Sequence, residues 1–398
     1  MSQLKIPAVF MRGGTSNAVV FHARDLPADR ALWDEIFLAA IGSPDPYGRQ
    51  LDGMGGGISS LSKVCVIGPS TRPDADIDYT FAQVLVKDAK VDYSGNCGNM
   101  SSAMGPFAVD EGLVKAPGSE ALVRIHNTNT NKVIHSRFAL DDGRAAVDGD
   151  LAIPGVSGTG APVRLEFREP GGASTGKLLP TGNAADTLDV PGYGKFRASL
   201  VDAANACCFL AAQDLGLTGT EMPDALDRHT ALLAKLAAIR LAASVAMGIG
   251  ATVEEAAEKT TVPFVGFVSG PQRASTLSGE AIDAAQVDLT GRMISNGQPH
   301  RALPLTASLC MAVAARVEGS IVNEALRKGG DAEGDIRIAM PSGVLNVAAT
   351  VRRRGGEWHA EQGAFYRTQR RMFEGYVYLR ASRVPQLLAA TGGKLRAA

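Results

Sequence analysis

The sequence predicts an α+β protein made of two similar halves. Its 398 residues exceed one ordinary core and suit two domains of about 150 to 200 residues each. Apolar residues make up 45% of the chain and charged residues 20%, which is typical of a globular protein and excludes a disordered or fibrous class. The third observation is a plan of strands and helices near the start that recurs near mid-chain.

The first unit of this plan is strand, turn, strand, helix. Apolar runs at residues 6–11 and 19–22 flank a Gly/Asn-rich turn at residues 13–17. Apolar positions then recur every three or four residues between Leu32 and Ala40, with Asp29 suited to capping the helix and Gly42 just beyond its end.

The same order returns in the second half. Residues 205–211 align with residues 17–23 at a constant offset, 205 − 17 = 188, and Asn, Ala, Phe and Ala coincide. A slip of one residue then aligns residues 213–215 with 24–26, and a long helix is predicted at 229–247. We therefore expect an internal duplication.

A second helix start in each half supports the duplication, with helices predicted at residues 99–109 and 304–317. Turn residues concentrate between residues 180 and 195. We place the boundary there, with domains at 1–185 and 186–398, and leave open that the final strand returns to the first half.

Charge and cysteine content exclude several classes of function. Forty Lys and Arg balance 41 Asp and Glu, so the net charge of −1 offers no overall attraction for nucleic acid or a membrane surface. Five scattered cysteines without a CxxC pair indicate neither a disulfide framework nor a zinc site. The N-terminal apolar stretch is too short for a signal peptide, and residues 241–253 are too short to span a membrane. We expect a cytoplasmic protein with a small-molecule partner.

Cys97 is the first candidate for chemistry because it opens a predicted helix between Asn96 and Gly98. Free helical N–H groups and the helix dipole stabilise a thiolate, and the glycine lets a ligand carboxylate approach the backbone donors. The alternative is a buried structural cysteine at a helix start.

Lys63 is the second candidate because it stands where the Gly/Ser-rich loop at residues 52–62 becomes an apolar strand. If the amine is desolvated in a cleft, its pKa falls and it can act as a base. The alternative is an ordinary solvated lysine. The loop does not bind a nucleotide phosphate by any known motif, because Ile58 stands where GxGxxG needs glycine and GxxxxGK[ST] is absent.

Arg292 and His300 precede the second-half helix start that mirrors Cys97. A guanidinium is a natural bidentate partner for a substrate carboxylate, and the alternative for Arg292 is a surface ion pair. The six histidines lack HxxxH and HExxH spacing, so we predict no metal site.

Three motifs together resemble the PrpF family of 2-methylaconitate and oxalomesaconate isomerases. They are MRGGTS at residues 11–16, DGMGG at 52–56 with SKV at 62–64, and SGNCGN at 94–99. The resemblance implies the diaminopimelate-epimerase fold, which has two pseudo-symmetric halves, each a barrel-like β-sheet wrapped around a central helix, with the site between them.

The resemblance also implies the roles of individual residues. Lys63 and Cys97 correspond to the family's proton-transfer pair. The implied substrate-binding residues are Ser16, Asn17, Ser60, Asn96, Gly98, Asn99, Arg292, His300 and Ser342. The epimerase relatives use two cysteines, and no second cysteine of this chain occupies an equivalent turn.

We therefore expect a cofactor-independent isomerase that moves a proton along the allylic system of an unsaturated di- or tricarboxylate. The resemblance favours 2-methylaconitate or aconitate as substrate, with 4-oxalomesaconate next. Two alternatives are an amino-acid epimerase or racemase, which the missing second thiol disfavours, and a non-catalytic accessory protein of a dehydratase. A homodimeric assembly is left open.

Overall fold

The computed structural model describes residues 3–93, 96–259, 262–295, 297–331 and 333–391. The strands in chain order are β1 (Gln3–Gly13), β2 (Ser16–His22), β3 (Lys63–Pro69), β4 (Ile77–Val84), β5 (Val91–Asp92), β6 (Glu120–Asn127), β7 (Lys132–Asp141), β8 (Arg144–Ala145), β9 (Leu151–Ala152), β10 (Thr159–Gly160), β11 (Val163–Arg168), β12 (Asp186–Val190), β13 (Gly194–Ala203), β14 (Asn205–Ala211), β15 (Phe264–Ser269), β16 (Ala274–Ser275), β17 (Ala281–Ile282), β18 (Leu289–Ser295), β19 (Gln298–Pro299), β20 (Ile336–Met340), β21 (Gly343–Arg354), β22 (Glu357–Arg367) and β23 (Gln369–Arg380).

The helices in chain order are α1 (Trp33–Ile41), α2 (Gly98–Asp110), α3 (Pro223–Asp227), α4 (Thr230–Ala246), α5 (Val253–Glu258), α6 (Leu305–Ala315), α7 (Ile321–Ala325) and α8 (Pro385–Thr391). About 24% of the structure is helical and 38% is in strands. Both helices and strands are thus well represented, and the predicted α+β class is confirmed.

The chain forms two compact units. One contains the chain up to Leu165 together with the segment from Tyr366 onward, and the other is Glu166–Phe365. The division falls earlier than the predicted boundary at 185/186 because the Gly/Pro-rich segment after Glu166 is bonded into the second unit. Glu169 N donates to Glu361 O, and Gly172 N donates to Asp202 O.

The final strand belongs to the first unit. β23 pairs antiparallel with β1 over eleven positions, from Gln3 opposite Arg380 to Gly13 opposite Gln369. The first unit is therefore discontinuous in sequence, whereas the second is one continuous segment.

The two units repeat one order of strand pairing. In the first, β1–β2 is antiparallel, β2–β3 parallel, β3–β4 antiparallel, β4–β6 parallel and β6–β7 antiparallel. In the second, β13–β14, β14–β15, β15–β18, β18–β20 and β20–β21 follow the same alternation. The predicted duplication is confirmed at the level of topology.

The register of the duplication differs from the predicted offset of 188. In the first unit Val19 and Phe21 face the core that contains α1. In the second unit Cys208 and Leu210 face the corresponding core, which contains α4. These pairs are related by 208 − 19 = 189, and an offset of 188 would send each side chain to the opposite face because side chains alternate along a strand. The four coincident identities are therefore out of structural register.

Each unit has a buried helix against its strands. All residues of α2 from Met100 to Val109 are buried, and α2 contacts β1, β2, β3, β6, β7, β8 and β23. Residues Ala307–Ala315 of α6 are likewise buried, against β13, β14 and β21. The predicted sheet wrapped around a central helix is confirmed in each unit.

Candidate active site

Lys63 is the first residue of β3, and its side chain is buried, with 8% of its surface exposed. Nζ donates a hydrogen bond of 2.5 Å to Gln83 Oε1 and lies 5.0 Å from the centre of the Phe81 ring. The alternative of an ordinary solvated lysine is therefore wrong. Burial in contact with an aromatic face is the kind of setting in which a lysine can serve in acid–base chemistry.

The strand register turns Lys63 toward α2. Lys63 lies opposite Ala18, and two residues earlier on β2 Ser16 lies opposite Gly13. A Cβ atom placed on Gly13 would meet Asn99 O at 2.6 Å and Met100 Cα at 3.0 Å, so this face looks onto the first turn of α2. Because side chains alternate along a strand, Lys63 projects from that face.

Cys97 is the N-cap residue of α2. The backbone N–H of Met100 donates to Cys97 Sγ at 3.5 Å, so the sulfur occupies the position in which a capping oxygen usually accepts. Cys97 is partly exposed, whereas the other four cysteines are buried. The sulfur therefore lies at the N-terminal end of a thirteen-residue helix.

Cys65 and Tyr79 lie close to both candidate groups. The Cys65 thiol donates to the Tyr79 hydroxyl at 3.8 Å. Burial, and secondarily the charge of Cys97, raise the pKa of Cys65, while Lys63 acts weakly in the other direction. Burial likewise raises the pKa of Tyr79 well above its ordinary value. Both groups stay neutral near pH 7. The geometric link between the two candidates is that Lys63 projects from the sheet face that looks onto the first turn of α2, the helix that Cys97 caps.

Asn99 fastens the hairpin between β1 and β2 to the start of α2. Thr15 N donates to Asn99 Oδ1 at 3.5 Å, Asn99 Nδ2 donates to Thr15 Oγ1 at 3.1 Å, and Arg367 Nε donates to Asn99 Oδ1 at 3.1 Å. The side chain of Asn99 is therefore occupied in holding the turn. Its part in substrate binding stays a prediction.

The other predicted substrate-binding residues of the first unit lie on β2, around the start of α2 and in a short helix before β3. Ser16 is buried on the face that looks onto α2, whereas Asn17 lies on the opposite face of β2. Asn96 Oδ1 accepts from Ser101 Oγ at 3.2 Å, and Gly98 is the first residue of α2. Ser60 lies in a short 3-10 helix just before Lys63. Residues 94 and 95 of the SGNCGN motif lie outside the described residues.

Two arginines near this turn were not among the predicted site residues, although Arg12 belongs to the MRGGTS motif. Arg12 Nη1 donates to Gly14 O at 2.9 Å and to Thr368 Oγ1 at 3.0 Å, and Arg367 is buried beside Asn99. Arg367 is 268 residues from Asn99 in sequence, so no local pattern links it to the turn. The structure thus places two guanidinium groups at the hairpin end of the first unit.

Arg292, His300 and Ser342 belong to the second unit. Arg292 is only 2% exposed; its Nε donates to Glu221 O at 2.7 Å and its Nη1 to Gly291 O at 2.8 Å. Burial lowers the pKa of this guanidinium to about 10, which leaves it charged at neutral pH. The alternative of a surface ion pair disagrees with this burial. Backbone carbonyl groups take two of the five N–H donors, and the part of Arg292 in binding a substrate carboxylate stays a prediction.

His300 is exposed just after β19, and its backbone N–H donates to Met293 O at 2.8 Å. Ser342 lies in the turn between β20 and β21, and within the described ranges its buried Oγ has no hydrogen-bond partner. Neither side chain contacts a group that identifies its role, and their part in substrate binding stays a prediction.

Among residues 3–93, 96–259, 262–295, 297–331 and 333–391, no three His, Cys, Asp or Glu side chains come together as metal ligands. Within the same part of the chain, no helix has both the length and the apolar character required to cross a membrane.

The α+β fold with two similar units defines the structural class of the protein, and comparison with known proteins identifies its family. Residues 3–380 match the family model described as PrpF protein, and the chain belongs to the PrpF family. It is 45% identical over 384 residues to 3-methylitaconate isomerase from Eubacterium barkeri, which covers 96% of this chain and 99% of that protein. It is 39% identical over 386 residues to 2-methyl-aconitate isomerase from Cupriavidus necator, with 94% and 97% covered.

The crystal structure of methylitaconate-delta-isomerase is similar to this structure with a TM-score of 0.89 at 44% sequence identity, covering 96% of this chain and 98% of that one. The prediction of an isomerase of this family is confirmed.

The close approach of Gly13 to α2 leads to a first prediction. We expect Gly13→Ala to lower the free energy of unfolding by about 1 to 3 kcal/mol and to lower kcat, because the added methyl group would press on the backbone of Asn99 and displace the helix start that carries Cys97. Urea denaturation and steady-state kinetics measure both effects.

Gly330→Ala is the matched control, since a Cβ there meets no atom within 4 Å and the residue has no left-handed φ. It should change the free energy of unfolding by less than about 0.5 kcal/mol. A Gly13→Ala protein as stable and active as wild type would show that the turn does not hold the start of α2 in place.

Proposed function

We propose that this isomerase moves a proton along the allylic system of an unsaturated di- or tricarboxylate without a cofactor. The observation that supports the proposal is that a buried amine, Lys63, projects from the sheet face that looks onto the first turn of α2, the helix capped by the Cys97 thiol. Among substrates, 3-methylitaconate and 2-methylaconitate are the first to compare, because relatives named for them are 45% and 39% identical to this chain. Aconitate and 4-oxalomesaconate come next.

The proposed chemistry uses both groups. One removes a proton from the carbon next to the C=C bond, and the electron pair left behind delocalises over the allylic carbons and the attached carboxylate. The other returns a proton, either to the far end of the allylic system, which shifts the double bond, or to the original carbon after rotation, which changes its geometry. The proton removed and the proton returned balance, so no oxidant or reductant is needed.

Negative charge develops on the substrate in the delocalised intermediate. The first turn of α2 presents backbone N–H groups at Gly98 and Asn99, and Arg12 and Arg367 add positive charge near the adjoining hairpin. Donors that are already oriented stabilise such an anion without the cost of rearranging. The same groups suit the carboxylates of the substrate.

The burial of the other cysteines argues against a racemase that uses two thiols. Cys65, Cys207, Cys208 and Cys310 are all buried, and burial raises the pKa of Cys208 to about 12. None of these four is placed like Cys97 at the start of a helix. An amino-acid racemase would therefore need an acid–base partner of another kind.

The decisive experiment is to incubate the purified chain in D₂O with a panel of unsaturated polycarboxylates and to follow the products by NMR. We expect deuterium to enter an allylic carbon as the double bond moves or changes geometry. Proline and other amino acids are the comparison set. Deuterium at an amino-acid Cα, or no exchange with any polycarboxylate in the panel, would contradict the proposal.

A second prediction concerns metals. We expect kcat to be unchanged after exhaustive dialysis against EDTA, because every proton in the proposed reaction passes through an amine or a thiol and no step needs an ion. The measurement is turnover before dialysis, after it, and after addition of Mg²⁺, Mn²⁺ or Zn²⁺. Activity that is lost on dialysis and restored by one of these ions would contradict the cofactor-independent mechanism.

A further inference from the structure

We propose that Gln83 is a positioning residue that holds the Lys63 amine and sets the balance between its charged and neutral forms. The inference rests on the proposed function of Lys63 in proton transfer. It concerns a side chain that the three sequence motifs do not contain.

The sheet places the two side chains directly opposite each other. Lys63 on β3 is the register partner of Gln83 on β4 in an antiparallel pair. Residues that lie opposite each other on neighbouring strands project from the same face, so both side chains lie on the side that looks onto α2. Nζ donates directly to Oε1, with 2.5 Å between the two atoms.

The orientation of the Gln83 amide follows from its other partners. Nε2 lies 2.9 Å from Ser59 O and 3.0 Å from Ser62 O. Carbonyl oxygens only accept hydrogen bonds, so the NH₂ end of the amide must face them and the oxygen must face Lys63. With both of its N–H groups used, the amide cannot flip without losing two hydrogen bonds.

These contacts also tie the Gly/Ser-rich loop to the strand that carries Lys63. Ser62 Oγ donates to Gln50 Oε1 at 2.7 Å, and Val84 N donates to Ser62 O at 3.0 Å. The backbone just before Lys63 is thus held from two directions. Gln83 is the side chain that joins this anchored backbone to the amine itself.

The choice of an amide over a carboxylate has a chemical consequence. A neutral oxygen stabilises the ammonium form modestly, whereas a carboxylate at the same distance would favour it strongly and oppose its use as a base. The titratable groups that interact with this end of β3 are Cys65 on β3 and Cys97 at the start of α2, and Tyr79 on β4 interacts with both thiols. Asp92 on β5 is the register partner of Gln83 and projects from the same face. The hydrogen-bond acceptor of the Lys63 amine is the neutral amide oxygen of Gln83.

Two substitutions of opposite sign test the inference. Gln83→Leu removes the acceptor, so the pKa of Lys63 should fall; Gln83→Glu keeps the shape and adds a negative charge, so that pKa should rise. We expect kcat to drop by about 10- to 100-fold in Gln83→Leu with KM changed by less than about threefold, because the amine is misplaced and substrate contacts are kept. The midpoint of the pH–rate limb that reports Lys63 should move to lower pH in Gln83→Leu and to higher pH in Gln83→Glu.

The matched control is Gln362→Leu. Gln362 also accepts a hydrogen bond from a cationic side chain, Arg168 Nη1 at 2.8 Å, and it also lies on a strand, β22. This variant should retain the wild-type kcat and pH profile. Circular dichroism and thermal denaturation of all three variants show which of them are folded. If Gln83→Leu does not fold, the inference is tested with Gln83→Glu alone.

A measurement that needs no turnover separates this inference from the proposed function. The rate at which acetic anhydride acetylates Lys63, followed against pH by mass spectrometry, gives the pKa of the amine directly. Opposite shifts in the two Gln83 variants would support the inference, and a pKa equal to that of wild type in both would overturn it. If Lys63→Ala turns over normally, the proposed function of Lys63 fails whatever the labelling shows.

Discussion

Replacing Cys97 with serine or Lys63 with alanine should lower kcat by at least about 10²-fold, the usual contribution of one positioned acid or base. Serine is the informative substitution for Cys97, because its hydroxyl can still accept from Met100 N and keep the helix cap. The double variant should be little worse than the poorer single variant, since groups that act as a unit are not additive. Steady-state kinetics on the four proteins test this.

Lys195→Ala is the control for the lysine, because Lys195 is exposed and belongs to the second unit. Iodoacetamide should modify Cys97 before any other cysteine, since it is the one partly exposed thiol among the five. If Cys97→Ser keeps most of its activity while Lys63→Ala loses it, Cys97 serves only as a helix cap. If both single variants stay active, the catalytic assignment is wrong.

Arg292→Ala should lower the free energy of unfolding by about 3 kcal/mol. Truncation removes a buried guanidinium and leaves the carbonyl oxygens of Glu221 and Gly291 without their donors. Denaturation in urea measures the effect. Arg352→Ala is the control, because Arg352 is an exposed side chain paired with Glu333, and an exposed pair contributes about 0 to 1 kcal/mol.

Measuring both the stability and the KM of Arg292→Ala separates two roles for Arg292. Its Nη2 is buried and, in the part of the chain that the structure describes, has no hydrogen-bond partner. A variant with unchanged stability but a raised KM would return Arg292 to substrate binding, as the sequence first indicated. A loss of stability with KM unchanged would assign it to the interior of the second unit.

Local patterns predicted the elements around the site well. Glycine, capping residues or apolar runs within a few positions predict each of three elements: the turn at residues 13–17, the helix after Cys97 and the strand at Lys63. The duplication was also visible, because topology repeats at a nearly constant spacing even where few identities remain.

What the sequence could not show depends on register and on long-range pairing. The burial of Lys63 follows from its place opposite Gln83, twenty residues further along the chain, and no local signal marks that glutamine. The predicted alignment of the two halves was wrong by one residue, and an error of one residue assigns every strand side chain to the opposite face of the sheet. Nothing near Arg292 in sequence reveals its burial or the carbonyl groups of Glu221 and Gly291 that accept its hydrogen bonds.

The pairing of β1 with β23 has a consequence for synthesis on the ribosome. Residues 166–365 contain the whole second unit and precede the last strand, whereas β1 lacks its β23 partner until residues 369–380 have emerged from the exit tunnel. The unit that carries Lys63 and Cys97 is therefore the last to be completed, although most of it is made first. A truncated nascent chain that stops before β23 exposes one edge of β1, and such an unpaired edge is a template for aggregation.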